Sequence, residues 1–168
     1  MHVRVATPED AEAIRRIYNV EVESSTATFD LVPRTLEEQL AWQQARSGAH
    51  VVLVAEEDGR ILGFGALSPY KERPAYRMTV EDSVYVDRSV HRRGVGRLLL
   101  EELVATARRH GFHSVVARIE ASQTASRGLH AAVGFELVGI EREVGRKFNR
   151  WLDVAIMQRM VGERPARA

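Results

Sequence analysis

The spacing of apolar residues changes several times along this chain, and each change marks an element. Residues 2–6 alternate towards a first strand. Thr7-Pro8-Glu9-Asp10 then offers a helix cap, a proline at the first helical position and acids in the first turn. Ala11, Ile14, Ile17 and Tyr18 recur at helical spacing and give the first helix a buried face. Ser24-Ser25-Thr26-Ala27-Thr28-Phe29 breaks it into an irregular segment. A second helix is predicted from near Thr35, with Glu38 completing a capping box; it carries Leu36, Leu40 and Trp42 and ends near Gly48. His50 to Glu56 reads as a short apolar strand, Asp58-Gly59 as a hairpin turn, and Arg60 to Leu67 as the returning strand.

Pro69 to Arg77 is a polar, aromatic and basic loop, and Met78 to Val86 a long strand. Val95, Leu98, Leu99 and Leu103 share a helix face that Gly111 is placed to end. His113 to Glu120 is an apolar strand, and Gln123 to Val133 a short helix closed by Gly134. Phe135 to Glu143 and Phe148 to Met160 are two further strands, joined by a turn around Gly145. The order is β-α-α-β-β-β-α-β-α-β-β, and mixed strands with helices on both faces predict an α/β fold. No repeat or linker divides the chain. Residues 1–161 are expected to form one domain, with the Pro/Arg/Ala-rich 162–168 a disordered tail.

Composition narrows the function. Of 168 residues, 45% are hydrophobic and 28% charged, which is ordinary for a soluble globular protein. A net charge of +1 gives no global pull towards nucleic acid or an anionic membrane. Cysteine is absent, which excludes disulfides, thiolate metal sites and a cysteine nucleophile. There is no clustered His or carboxylate set of metal-binding spacing, so no metal is expected. No apolar run is long enough to span a bilayer and the start lacks a signal-peptide core, so a cytoplasmic location is expected.

The chemistry centres on the stretch from Ser83 to Leu100. It reads as a strand, a short polar loop, Gly94 and Gly96, then a helix. Such a helix start attracts anions, because unpaired N–H groups and the dipole point at the ligand. The two glycines lack a Cβ, so a diphosphate can approach the backbone, and Arg92, Arg93 and Arg97 add charge beside it. It is neither a Walker loop nor a dinucleotide fingerprint. Glu81 is a carboxylate in an otherwise apolar strand, on the face of Tyr85, and suits a general base or an arginine-paired structural acid; Asp82 points to the other face and reads as structural.

The stretch His91-Arg92-Arg93-Gly94-Val95-Gly96 resembles the coenzyme A loop of GNAT-superfamily acetyltransferases, with His91 in place of that pattern's Gln or Arg. Five further stretches, in order, resemble the phosphinothricin and methionine sulfoximine acetyltransferase type. They are Ile17-Tyr18-Asn19, Ser25-Thr26-Ala27-Thr28-Phe29, Thr79-Val80-Glu81 before Ser83-Val84-Tyr85-Val86, Leu129-His130 before Gly134-Phe135, and Gly145 to Asp153. The resemblance runs from Val3 to Met160 and implies the GNAT fold and transfer of acetyl from acetyl-CoA, in a ternary complex, to the amine of a small amino acid. It implies Glu81 as base and His130 as acid towards the departing thiolate. Backbone groups of Val84, Tyr85 and Val86 would hold the pantetheine arm, the Gly94 loop with Val95 the diphosphate, and Gln123 and Ser126 the cofactor as well. Phe29, Lys71, Arg73, Tyr76, Lys147 and Trp151 would line the acceptor pocket, which a second subunit of a homodimer completes. Acetylation of another amine (a polyamine, a protein terminus, an aminoglycoside) and a non-catalytic acetyl-CoA-binding module stand as alternatives.

Overall fold

The computed structural model describes residues 1–162, so the expected tail lies outside the described residues except for Gly162. Its elements follow the predicted order: β1 (His2–Val5), α1 (Ala11–Ser24), α2 (Leu36–Gln44), β2 (Val52–Glu57), β3 (Arg60–Pro69), β4 (Thr79–Val86), α3 (Val95–Arg109), β5 (Ser114–Glu120), α4 (Thr124–Ala132), β6 (Glu136–Lys147) and β7 (Arg150–Met160). The strands form a seven-stranded sheet in the order β1-β2-β3-β4-β5-β7-β6. Every neighbouring pair is antiparallel except β4 and β5, which α3 connects.

Strand periodicity explains the two cores. Along β2, Val52 and Val54 face one layer with Phe64 and Ala66 of β3, under Ile14, Ile17, Tyr18 and Val22 of α1. Leu53 and Ala55 face the other, beneath Leu99, Leu100 and Leu103 of α3. Covered on both faces, β2 is continuously apolar rather than alternating.

Local signals act largely as the sequence predicts. Thr35 Oγ1 accepts from the Glu38 N–H at 3.1 Å, and the Glu38 carboxylate accepts from the Thr35 N–H at 2.7 Å, so α2 opens on the expected capping box. Asp58 and Gly59 both have positive φ, 51° and 76°, as a tight hairpin demands. Two expectations are corrected. The buried residue of α2 is Gln39, while Leu36 is exposed, because the helix start stands clear of the sheet. The last hairpin turns not around Gly145 but at Phe148-Asn149, whose φ values of 49° and 59° supply the turn without glycine. Gly145 lies within β6 opposite Leu152, and a Cβ there would fall 2.2 Å from Phe29 Cε2. Its small size serves the close approach of the Phe29 ring.

Candidate active site

The parallel pairing of β4 and β5 runs from Thr79↔Ser114 to Asp82↔Ala117 and then stops. Beyond that point β4 continues on β3 as far as Val86, and β5 continues on β7 as far as Glu120. The two strands therefore splay. On the open side, the edge of Ser83–Val86 has no neighbouring strand, and an amide-bearing chain can pair with it as an added strand would. A cleft of about 170 Å³ fills the fork, lined by groups that include Glu81, Tyr85, Arg118, Glu120, Gln123, Ser126 and His130. A larger hollow of about 650 Å³ lies between the far end of α3 and Arg159. Its Arg108 and Arg159 already bond the carbonyls of Val161 and Val133.

At the mouth of the fork, β4 leads through a turn into α3. Arg92 and Gly94 both take left-handed backbone, with φ of 63° and 83°. The first backbone bond into the helix is Leu98 N–H to Gly94 O at 3.0 Å. The N–H groups of Gly94, Val95, Gly96 and Arg97 find no acceptor among the described residues. Successive free donors in such a turn, at the positive end of a helix dipole, make an anion cradle. A Cβ on Gly94 would meet no atom within 4 Å, so that side of the loop is open to a ligand. Gly96 serves packing instead. Its Cβ would fall 3.1 Å from Leu129 Cδ2, so the bare glycine lets α4 lie against α3.

The arginines are less available than the sequence implies. Arg93 pairs with Glu57 at 2.7 Å and Arg97 with Glu101 at 2.8 Å, while Arg92 has no ion pair among the described residues. His91 Nε2 lies 3.2 Å from the Val86 carbonyl, folded back on the strand end. The anion cradle is thus chiefly backbone.

Glu81 projects into the fork, half-buried, with no hydrogen-bond partner among the described residues. The alternative reading, a structural acid paired with an arginine, finds no such pair among the described residues. Burial raises the carboxyl pKa, Arg118 pulls it back and Asp82 pushes it up, leaving it above the ordinary 4.5. Across β4, Ser68 of β3 stands opposite Glu81, so the loop 70–77 rises from the Glu81 end of the fork.

His130 and Asp82 form a pair that no sequence pattern signalled. His130 is 3% exposed, with Nε2 2.9 Å from Asp82 Oδ2 and Nδ1 2.8 Å from the Ser126 carbonyl. A carbonyl only accepts, so Nδ1 carries a proton and Nε2 shares one with the carboxylate. The imidazole is committed at both nitrogens rather than open to a leaving group. Asp82 Oδ1 is buried with no partner, at the floor of the cleft. Burial opposes the imidazolium, but the Asp82 hydrogen bond and charge and the Ser126 carbonyl outweigh it, and the net pKa rises above 6.5. The pair therefore stabilises the fold fully below the unfolded-state pKa, and that contribution is lost as pH rises through the folded value. In urea titrations from about pH 6 to about pH 9, the wild type should lose more stability than Asp82→Asn; parallel curves would refute the pairing.

The irregular segment after α1 closes one wall. Glu120 accepts from Thr26 Oγ1 at 2.7 Å and from Ser122 Oγ at 2.6 Å, and Gln123 donates to Thr26 Oγ1 at 3.1 Å. Gln123 and Ser126 thus both line the cleft. The expected acceptor residues are placed differently. Lys147 is buried, and burial lowers its pKa; Nζ donates to the Thr28 carbonyl at 2.9 Å and so staples the segment to β6 rather than facing a ligand. Phe29 covers Gly145. Lys71 Nζ sits 4.8 and 5.1 Å from the Tyr70 and Tyr76 ring centres, and Arg73 is exposed. Trp151 is 60% exposed beneath Arg146. None of these six lines the fork itself. The cation that does, Arg118, was not singled out by the sequence.

Residues 3–156 match the family model for the acetyltransferase (GNAT) domain. A phosphinothricin N-acetyltransferase of Alcaligenes faecalis is 41% identical over 94% of this chain and 81% of its own length. An L-methionine sulfoximine/L-methionine sulfone acetyltransferase of Salmonella typhimurium is 38% identical over 99% of this chain and 98% of its own. Among solved structures, an acetyltransferase from Salmonella typhimurium with its cofactor acetyl-CoA superposes with a TM-score of 0.95 at 38% identity, covering 100% of this chain and 98% of that one.

Proposed function

The chain belongs to the GNAT acetyltransferase family, and we propose that it moves acetyl from acetyl-CoA to the α-amino group of a small amino acid of the phosphinothricin, methionine sulfoximine or methionine sulfone class. The observation that carries this reading is the fork itself: a free strand edge leading from an anion cradle at Gly94 to an unpaired carboxylate at Glu81. The diphosphate belongs on the N–H groups of residues 94–97. The pantetheine amides belong on the edge of Val84, Tyr85 and Val86, which brings the thioester to the floor of the cleft beside Asp82 and His130. Glu81 takes the amine's proton, directly or through water. The freed nitrogen attacks the thioester carbon, and the carbon–sulfur bond breaks. The departing thiolate gains the proton that the nitrogen sheds as the adduct collapses to the amide.

Relatives of two amino-acid-directed types favour an amino-acid acceptor, and the basic loop of Lys71 and Arg73 would repel a polyamine. Thiol release from acetyl-CoA, measured over amino acids, polyamines and aminoglycosides, tests the reading. The amino acids should give the highest kcat/KM; preferred turnover of spermidine would overturn it. The reaction belongs in the cytoplasm, and among the described residues no helix is long and apolar enough to cross a membrane.

The functional unit is proposed to be a homodimer. β6 is the sheet's outer strand, and Leu137, Val138, Ile140 and Val144 along it are 42–62% exposed, with Phe148 and Trp151 beside them. A bare, apolar sheet edge of this kind is usually covered. A second copy would cover it and carry Trp151 towards a neighbouring pocket. Sedimentation should give twice the monomer mass for the wild type and the monomer mass for Ile140→Asp; a monomeric wild type would overturn the dimer.

A further inference from the structure

Among the residues of β5, six are buried and one, Arg118, is exposed. Register explains where it stands. Glu81 lies opposite Val116 in the parallel ladder, and Ala117 makes the last pairing. Arg118 is the next residue, two beyond Val116 and therefore on the face of Glu81, at the point where β5 leaves β4. Both side chains line the cleft, and the guanidinium charge is felt at the Glu81 carboxyl.

The commitments around it differ sharply. Glu120, the next residue on the same face, is held by Thr26 and by Ser122 through both side chain and backbone. Among the described residues Arg118 has one partner, Glu141 of β6, at 3.2 Å, with the two side chains 46% and 45% exposed. Such a solvent-screened pair is worth little, about 0–1 kcal/mol, and exchanges readily. A cation in the wall of a catalytic cleft, beside the proposed base and held only by an exchangeable carboxylate, is suited to a ligand's carboxylate.

We propose that Arg118 is the specificity-determining residue for the acceptor's α-carboxylate: it releases Glu141 and takes the substrate carboxylate while Glu81 takes the amine's proton. In an α-amino acid the two groups share one carbon. Glu81 and Arg118 line one cleft from one face of the sheet, so the long guanidinium arm can swing to the carboxylate while Glu81 stays at the amine. The guanidinium fork matches a carboxylate with two parallel hydrogen bonds. Lys71 and Arg73, on the loop above, are then left for the oxygen-bearing end of the side chain. The acceptor class is accordingly free α-amino acids, and neither their amides nor amines without a carboxylate.

This inference rests on the acetyltransferase reading, and the test separates the two. L-methionine sulfone and its carboxamide are compared as acceptors by thiol release, with thermal unfolding as a check on each variant's fold. The wild type should prefer the acid. Measured on the plateau above the Glu81 limb, Arg118→Ala should lower kcat/KM for the acid by about 10- to 100-fold, the loss of a charge-assisted contact, and leave the amide within about 3-fold. Arg118→Lys should restore part of the loss, since it keeps the charge without the fork. Equal losses on acid and amide, or an unaltered acid rate in Arg118→Ala, would overturn the assignment while leaving the acetyltransferase reading intact. A folded wild type that acetylates neither compound, nor any other amine, would overturn the reading itself.

Discussion

Glu81→Gln should lower kcat by about 100-fold or more while leaving acetyl-CoA affinity unchanged. The substitution keeps size and hydrogen-bonding shape and removes only the capacity to accept a proton. The effect should be large because nothing nearby replaces the carboxylate. Glu120 is saturated by Thr26 and Ser122, and Asp82 is tied to His130. Affinity should survive because the diphosphate cradle lies at the other end of β4, beyond Val86. The pH dependence follows from the site's electrostatics. Burial raises the Glu81 pKa, and Arg118 only partly offsets it. A base works when deprotonated, so kcat/KM should climb with pH through that raised value and level off above it. In Glu81→Gln that limb should vanish. Arg118→Ala removes the charge that pulls the pKa down, so the limb should move to higher pH. A wild-type rate retained by the glutamine variant from about pH 6 to about pH 9 would place the base elsewhere.

The element order was legible because each element has its own local cause. Apolar residues at helical spacing mark α1 and α3, the capping box opens α2, and Asp58-Gly59 takes the positive φ its turn requires. The last hairpin was misread because a glycine has two uses. Gly145 looked like a turn residue, whereas it makes room for Phe29, and the turn falls on Phe148 and Asn149, which the apolar run to Met160 had drawn into the last strand. The ion pair of Arg97 with Glu101 was legible at helical spacing; that of Arg93 with Glu57 joins residues from separate elements and was not.

The site divides in the same way. The Gly94 loop was legible because a strand, a glycine turn and a helix are contiguous in sequence. Arg118 and the Asp82–His130 pair were not, because their meaning depends on where β4 and β5 part. That point is set by the sheet order, and no local pattern announces it. Asp82 was rightly assigned to the opposite face from Glu81, yet that face proved to hold the floor of the cleft. A strand whose two faces both reach the fork cannot be divided into a functional and a structural side.

Gly94→Val should weaken acetyl-CoA binding by about 10- to 100-fold, the range expected for one lost charge-assisted backbone contact. Two effects act together. At φ 83° a β-branched residue is strongly disfavoured, so the turn must relax and the free N–H groups of residues 94–97 lose their common aim. The new side chain also enters the open space over the loop, where no protein atom lies within 4 Å of the added Cβ. A phosphate placed there would collide with it. The fold should survive, since the loop is exposed and the core beneath α3 rests on Val95, Leu99, Leu100 and Leu103. Gly96→Ala is the informative contrast. Its Cβ meets Leu129 rather than the ligand, so it should reduce cofactor affinity less than Gly94→Val does. Calorimetric titration with acetyl-CoA, beside thermal unfolding of both variants, separates these outcomes. A folded Gly94→Val protein with unchanged affinity would move the diphosphate away from the start of α3.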